Sequence, residues 1–303
     1  MGEVTEPIFF IGVPRSGTTL LFEAFAMHTQ LGWPSNYTEK FPTTPLLGLI
    51  MHFTNNRYAQ LIGQKKQYNC VSLGNKLLPK PAEAYPFWNY YTNLDFATQY
   101  LIQETATENC KRQIKKAVNS ILRWQGKSTF SAKLTGPSRI HFLKSIYPNA
   151  KFIHVIRDGR AVVHSMLNVQ SWTTRNFLDE PWWKGGLTKT DLIEWHSSGN
   201  NPAILAAIQW KKIIEIAQQE SAHCSNEHYM EIRYEDFIEN PNHVLNDLYA
   251  WSGLPESNSA SRHLEKLRMI SNMNYKYKKD MTIEEIHSIT KTMEPLLNNL
   301  GYV

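Results

Sequence analysis

Two short apolar stretches along the chain each run into a turn rich in Gly, Arg and Ser. Ile8 to Gly12 leads into Val13-Pro14-Arg15-Ser16-Gly17-Thr18-Thr19, and Lys151 to Ile156 leads into Arg157-Asp158-Gly159-Arg160. Apolar runs of this length without polar alternation predict strands buried on both faces, as in a parallel sheet. Helical periodicity follows each turn. Leu21 with Phe25 and Ala24 with His28 recur four apart after Thr18, and Ala161 to Leu167 forms the second helix. Further strands are predicted at Thr129 to Leu134 and Tyr229 to Arg233. Further helices are predicted at Asn109 to Trp124, Ile140 to Tyr147, Ala203 to Glu220, Pro241 to Trp251 and Ile283 to Leu300. Trp33 to Pro86, rich in Pro, Gly, Asn and Tyr, reads as loops with short helices. Alternating strands and helices predict an α/β fold, a P-loop-like doubly wound parallel sheet flanked by helices. Without a repeat, a low-complexity tract or a long linker, residues 1–303 read as a single domain.

Composition narrows the class. Hydrophobic residues at 42% supply a sizeable core, which excludes a disordered chain. The surplus of 32 Lys and Arg over 27 Asp and Glu, +5, is too small for a nucleic-acid coat but suits one anionic ligand. No apolar run approaches the ~18 residues of a membrane span, so no membrane partner is expected. The N-terminal MGEVTEPIFFIG carries acids before a short apolar run and does not read as a signal peptide. Cys70, Cys110 and Cys224 are odd in number and widely spaced, with neither a metal spacing nor a disulfide framework. The expected location is cytoplasmic.

The first turn has the makings of an anion cradle. Its glycines allow a tight turn and close approach of the backbone, and the helix that follows offers unpaired N–H groups and a positive dipole end. Ser16, Thr18 and Thr19 add hydroxyls, and Arg15 adds a charge. The two glycines match the spacing of a nucleoside-triphosphate P-loop, but Thr18 stands where the P-loop needs Lys. The cradle therefore suits a phosphate-bearing donor other than a nucleoside triphosphate. At the second turn, Arg157 leaves the carboxyl end of a strand and Ser165 sits about two helical turns later. Both can face an anion where open α/β sheets bind ligands, although a local Arg157–Asp158 pair and a buried serine would look the same.

Together the two turns resemble the 5′-phosphosulfate loop and the 3′-phosphate motif of sulfotransferases that use 3′-phosphoadenosine 5′-phosphosulfate (PAPS). The stretch Pro148 to Met166 and the C-terminal Met293 to Tyr302 are similar to tyrosylprotein sulfotransferases and their bacterial relatives. The resemblance implies a PAPS donor, the product PAP and residue roles. Arg15 would face the sulfuryl group, and Ser16, Gly17, Thr18 and Thr19 would cradle the 5′-phosphosulfate. Arg157 and Ser165 would grip the 3′-phosphate, Tyr234 would lie near the nucleoside, and Lys133 would stand on the strand below the sulfuryl group. Ser271 to Lys278, with Asn274 and Lys276, resembles the basic loop that closes on the 3′-phosphate. Leu20 stands where cytosolic aryl sulfotransferases carry an aromatic for adenine, Thr135 falls where those members use His, and Ser35 and Asn36 fall where tyrosylprotein sulfotransferases place their catalytic Glu.

The catalytic base must therefore be sought among this chain's own residues. Glu39, just past the first helix, is the first candidate and Glu83, among aromatics, the second. No metal is expected, since no Asp, Glu and His cluster has ligand spacing. The expected partner is a small-molecule acceptor, a hydroxyl or amine of a specialised metabolite; a peptide or protein tyrosine or a carbohydrate is the alternative. Asp179 to Gly186, with Glu180, Trp182, Trp183, Pro181 and a Gly pair, reads as an irregular loop; with Asp191, Glu194 and Trp195 soon after, this segment is expected to line the acceptor site and favour a cationic metabolite such as an alkaloid.

Overall fold

Five strands form one parallel sheet: β1 (Ile8–Gly12), β2 (Leu31–Gly32), β3 (Thr129–Thr135), β4 (Lys151–Ile156) and β5 (Tyr229–Arg233). Their order across the sheet is β2-β3-β1-β4-β5. The structure is a computed structural model that describes residues 4–56, 58–59, 61–63, 75, 77–169, 179–257, 259–260, 264 and 271–302. β1 is central. After it the chain turns towards β2 and β3 on one side, and only later returns to β4 and β5 on the other. That reversal makes the β1–β4 boundary the switch point, where ligands of doubly wound folds bind. Alternate residues of β1 serve opposite faces, as strand geometry requires. Phe9 and Ile11 join one apolar cluster with Phe130, Ala132 and Leu134 of β3, while Ile8 and Phe10 join another with Ile153 and Val155 of β4.

The described helices are α1 (Thr18–Phe25), α2 (Asn36–Lys40), α3 (Gly48–Thr54), α4 (Tyr85–Thr92), α5 (Glu108–Gln125), α6 (Ile140–Ile146), α7 (Gly159–Leu167), α8 (Lys189–Ser197), α9 (Pro202–Ser221), α10 (Tyr234–Glu239), α11 (Pro241–Trp251), α12 (Tyr277–Asp280) and α13 (Ile283–Asn299). Local chemistry sets their ends. In α5, Thr107 caps the N-terminus by accepting from the Cys110 N–H, and Gly126 closes the C-terminus at φ 65°. In α9, Asn201 caps ahead of Pro202. α7, α9 and α13 pack together over a third apolar cluster.

Two expectations differ from the structure. β2 is a two-residue strand, too short to leave a periodic signal. No helix is expected between the Gly185–Gly186 pair and Ala203, where α8 lies. Thr188 and Asp191 form a reciprocal capping box there, and no Pro or Gly intervenes before Gly199. Cys110 and Cys224 are free thiols, and Cys70 lies outside the described residues. Among the described residues no helix is long and apolar enough to cross a membrane.

Candidate active site

The turns after β1, β3 and β4 meet at the carboxyl edge of the sheet, and the strand register shows why. Gly12 pairs with Thr135, and Ile11 pairs with His154, three residues before Arg157. Gly12 and Gly17 begin and end the first loop in conformations that side chains resist, with φ of 148° and 85°. A Cβ on Gly17 would lie 2.2 Å from the Tyr234 ring, and one on Gly12 would lie 2.5 Å from the Val155 carbonyl oxygen. Arg15 is not a glycine yet holds φ 75°. Left-handed backbone costs an ordinary residue about 1–2 kcal/mol, so the fold strains this arginine into place.

Arg15 joins the two turns. Its Nε donates to Ser165 Oγ at 3.0 Å, and its carbonyl accepts from Arg157 Nη1 at 2.9 Å. Arg157 also donates through Nε to Asn274 Oδ1 at 2.6 Å and through Nη2 to the Met273 carbonyl at 3.2 Å, and its guanidinium lies 4.5 Å over the Tyr234 ring. Burial pulls the Arg157 pKa below its usual value, while Tyr234, Glu235 and Asp158 push it back up. Asp158 is held not by Arg157 but by Arg160, through paired contacts of 3.0 and 2.9 Å. The local Arg157–Asp158 pair is therefore not formed, and Arg157 is left facing the cradle. Ser16 Oγ and Thr18 Oγ1 are buried with no hydrogen-bond partner among the described residues. Buried hydroxyls are rarely left so, and these two sit where an anion would satisfy them.

A second cluster flanks the loop. Lys133 is on the β3 face opposite Phe130, Ala132 and Leu134, level with Phe10 of β1. Only 2% exposed, it donates through Nζ to Thr19 Oγ1 at 2.8 Å and pairs with Glu83 Oε1 at 2.9 Å. Thr135 Oγ1 donates to the same Glu83 oxygen at 2.7 Å, and the Tyr85 hydroxyl donates to the Thr135 carbonyl. The order Thr19, Lys133, Glu83, Thr135 thus runs from the cradle to a carboxylate.

Of the other predicted residues, Asn274 joins the cluster but Lys276 is exposed, at the start of α12. Glu39 is exposed on α2, and no described contact ties its carboxylate to the cradle. Glu83, the second candidate, is the carboxylate that reaches Lys133. The proposed cation box is not assembled. Asp191 caps α8 and lies 3.3 Å from Lys212, and Glu194 accepts from Thr292 and lies 3.9 Å from Lys211. Trp195 is buried, and Asp179 and Glu180 are exposed. Trp183 is buried beside Gly136, where an added Cβ would lie 2.7 Å from its Nε1. Asp191 and Glu194 are thus engaged by lysines, a cap and Thr292, which leaves Asp179 and Glu180 as the exposed acids of the segment. Sequence reasoning missed Glu235, which accepts from the Asn274 side chain, the Tyr302 hydroxyl and the Asp158 N–H. Its only signal was its place beside Tyr234. Among the described residues no group of three or more His, Cys, Asp and Glu is placed to hold a metal ion.

Known proteins resemble this chain along most of its length. The model of the family described as the sulfotransferase family matches residues 7–258. The omega-hydroxy-beta-dihydromenaquinone-9 sulfotransferase Stf3 of Mycobacterium tuberculosis is 23% identical over 321 residues, covering 98% of this chain and 75% of that protein. The protein-tyrosine sulfotransferase of Drosophila melanogaster is 21% identical over 260 residues, covering 86% of this chain and 40% of that protein. Among solved structures, sulfotransferase STF9 from Mycobacterium avium shares the fold with a TM-score of 0.58 at 15% identity, covering 98% of this chain and 77% of that one. The sulfotransferase domain from the curacin biosynthetic pathway gives 0.50 at 17% identity, covering 97% and 99%.

Proposed function

The chain belongs to the sulfotransferase family, and from that premise we propose that it moves a sulfuryl group from PAPS to a hydroxyl or amine of a small specialised metabolite, leaving PAP. One observation carries this reading. Both anion-binding turns converge on Arg15, around the partnerless buried hydroxyls of Ser16 and Thr18. Those orphaned atoms, and the tight loop that Gly12 and Gly17 hold at positive φ, fit a phosphate-bearing donor.

When bound, PAPS supplies the sulfuryl group on a phosphate leaving group. Ser16, Gly17, Thr18 and Thr19 hold the 5′ end, while Arg157 and Ser165 hold the 3′-phosphate with Asn274 beside them. Tyr234 supports the nucleoside. Lys276, exposed near Asn274, draws the anionic donor in from solution. Arg15 and Lys133 supply positive charge where the leaving phosphate gains negative charge. Glu83, oriented by Thr135, accepts the acceptor's proton. Among the acceptors named for relatives are a hydroxylated menaquinone and a protein tyrosine, both hydroxyl compounds. The small-molecule relative aligns over more of this chain, which favours a small acceptor over a peptide.

Titration calorimetry with PAP and 5′-AMP tests the donor. PAP should bind far more tightly, and Arg157→Ala should weaken it about 10²-fold, since each ~1.4 kcal/mol is tenfold. Equal binding of PAP and 5′-AMP by the unaltered protein would refute the donor. Mass spectrometry of metabolite mixtures incubated with PAPS then identifies the acceptor by its added sulfate.

A further inference from the structure

We infer that Glu235 is a positioning residue: through Asn274 it fixes the polarity with which Arg157 is presented to the donor's 3′-phosphate. The inference rests on the reading of Arg157 as the 3′-phosphate ligand.

Glu235 lies in the first turn of α10, one residue after Tyr234. Its Oε1 accepts from Asn274 Nδ2 at 2.8 Å and from the Asp158 backbone N–H at 3.3 Å, and its Oε2 accepts from the Tyr302 hydroxyl at 2.9 Å. One carboxylate therefore ties together the end of β5, the turn after β4, the Ser271–Tyr275 turn and the C-terminal tyrosine. Tyr302 is fastened in turn, since its carbonyl accepts from Arg160 at 2.7 Å and its ring lies under Arg233 at 4.5 Å.

Donor and acceptor chemistry explains why a carboxylate is needed. A side-chain amide has one end that donates and one that accepts, and either end can face a given neighbour. Glu235 only accepts and Arg157 only donates. Asn274 stands between them, so its NH₂ must face Glu235 and its oxygen must face Arg157 Nε. That bond, with those from Arg157 to the Arg15 and Met273 carbonyls, sets the plane of the guanidinium. Three of its five N–H groups are used, which leaves one on each terminal nitrogen without a partner among the described residues. Those two N–H groups remain to donate to a phosphate. A glutamine at 235 would keep the volume but could donate as well as accept. The hold on the Asn274 NH₂ would fall from a charge-assisted bond to a neutral one, and a turned Asn274, its oxygen now met by a donor at position 235, would set its NH₂ against the guanidinium.

The readout is the ratio of PAP to 5′-AMP affinity, measured by calorimetry on the whole chain. A packing role would not move it in an isosteric variant. Glu235→Gln should lower the ratio at least about fivefold and Glu235→Ala about tenfold, by weakening PAP while 5′-AMP affinity holds. Tyr302→Phe removes one hydroxyl from Glu235 and should lower the ratio about twofold; it serves as the test if the position-235 variants fail to fold. An unchanged ratio in Glu235→Gln, or in Tyr302→Phe where that variant stands in, overturns the inference. If the unaltered protein shows no preference for PAP, the donor reading itself fails.

Discussion

Replacing Glu83 by Gln separates the proposed base from its surroundings. The amide has nearly the volume of the carboxylate, and the Thr135 hydroxyl can still donate to its oxygen, now at 2.7 Å. Two things are lost: the capacity to take a proton, and the ion pair with Lys133 at 2.9 Å. A positioned general base contributes about 10²–10⁴ in rate, or about 3–5 kcal/mol of barrier. The stability cost is smaller. The Glu83 side chain is 20% exposed and the Lys133 side chain 3%, so the pair lies between a screened surface bridge and a buried one, and its loss costs about 1–3 kcal/mol. Lys133 keeps its contact with the Thr19 hydroxyl at 2.8 Å, so the cradle should survive. The assay follows PAP release from PAPS with the acceptor found by mass spectrometry, at saturating donor and well below the melting temperature. Glu83→Gln should lower kcat by at least about 10²-fold while PAP affinity stays within about twofold. Glu39→Gln, on an exposed helix, is the matched comparison. A Glu83→Gln enzyme with near-normal kcat, or a collapse of kcat in Glu39→Gln instead, refutes the assignment.

Gly17→Ala should destabilise the fold by at least about 1–2 kcal/mol in chemical denaturation, because φ is 85° and the new Cβ meets the Tyr234 ring at 2.2 Å. PAP binding should fall with it, and an alanine variant of full stability and affinity would show that the loop relaxes freely. Lys127 is a buried cation, 4% exposed, that donates to the Thr29 and Asn55 carbonyls at 2.8 and 2.7 Å, and burial pushes its pKa down to about 8. The unfolded chain keeps its proton up to about pH 10, so below about pH 8 the lysine weakens the fold by about 3 kcal/mol relative to its neutral form. That penalty fades as pH rises from about 8 to 10. The stability difference between the unaltered protein and Lys127→Met should grow in favour of lysine over that window, and a flat difference would contradict the burial argument.

Where function was legible in the sequence, the reason was local. β1, β4 and β5 have the predicted boundaries because short apolar runs end abruptly at Gly or Arg. Arg15, Arg157, Ser165 and Tyr234 sit at strand ends or one or two helical turns beyond, so local geometry alone aims them together. What was not legible depends on partners far along the chain. Glu83 is 50 residues from Lys133, in a stretch without strong periodicity, and its aromatic neighbours alone do not tie it to that lysine. The acids between Asp179 and Glu194 show the same dependence on distant partners. They look concentrated along the chain, but Asp191 and Glu194 are met by Lys212 and Lys211 from α9 and by Thr292 from α13. A cluster of like charges in sequence says little about local potential until its counter-charges are known.

The sheet order accounts for the rest of the site. Because β1 lies between β3 and β4, the three turns that follow these strands have to leave side by side from one edge. Had β3 been placed beyond β5, Lys133 would be several strand spacings of about 4.8 Å from the Arg15 loop, too far to bond Thr19. Arg157 would still meet Arg15, since β4 would still adjoin β1. On the proposed reading, an anion cradle requires only the β1–β4 pair, whereas transfer requires β3 on the other side of β1. Donor binding and turnover should accordingly separate along this line: changes at Arg157, Ser165 and Glu235 act on affinity, and changes at Lys133 and Glu83 act on rate. A Lys133→Met variant that lost PAP affinity as severely as Arg157→Ala, with kcat preserved, would show that the two sides of β1 do not divide the work in this way.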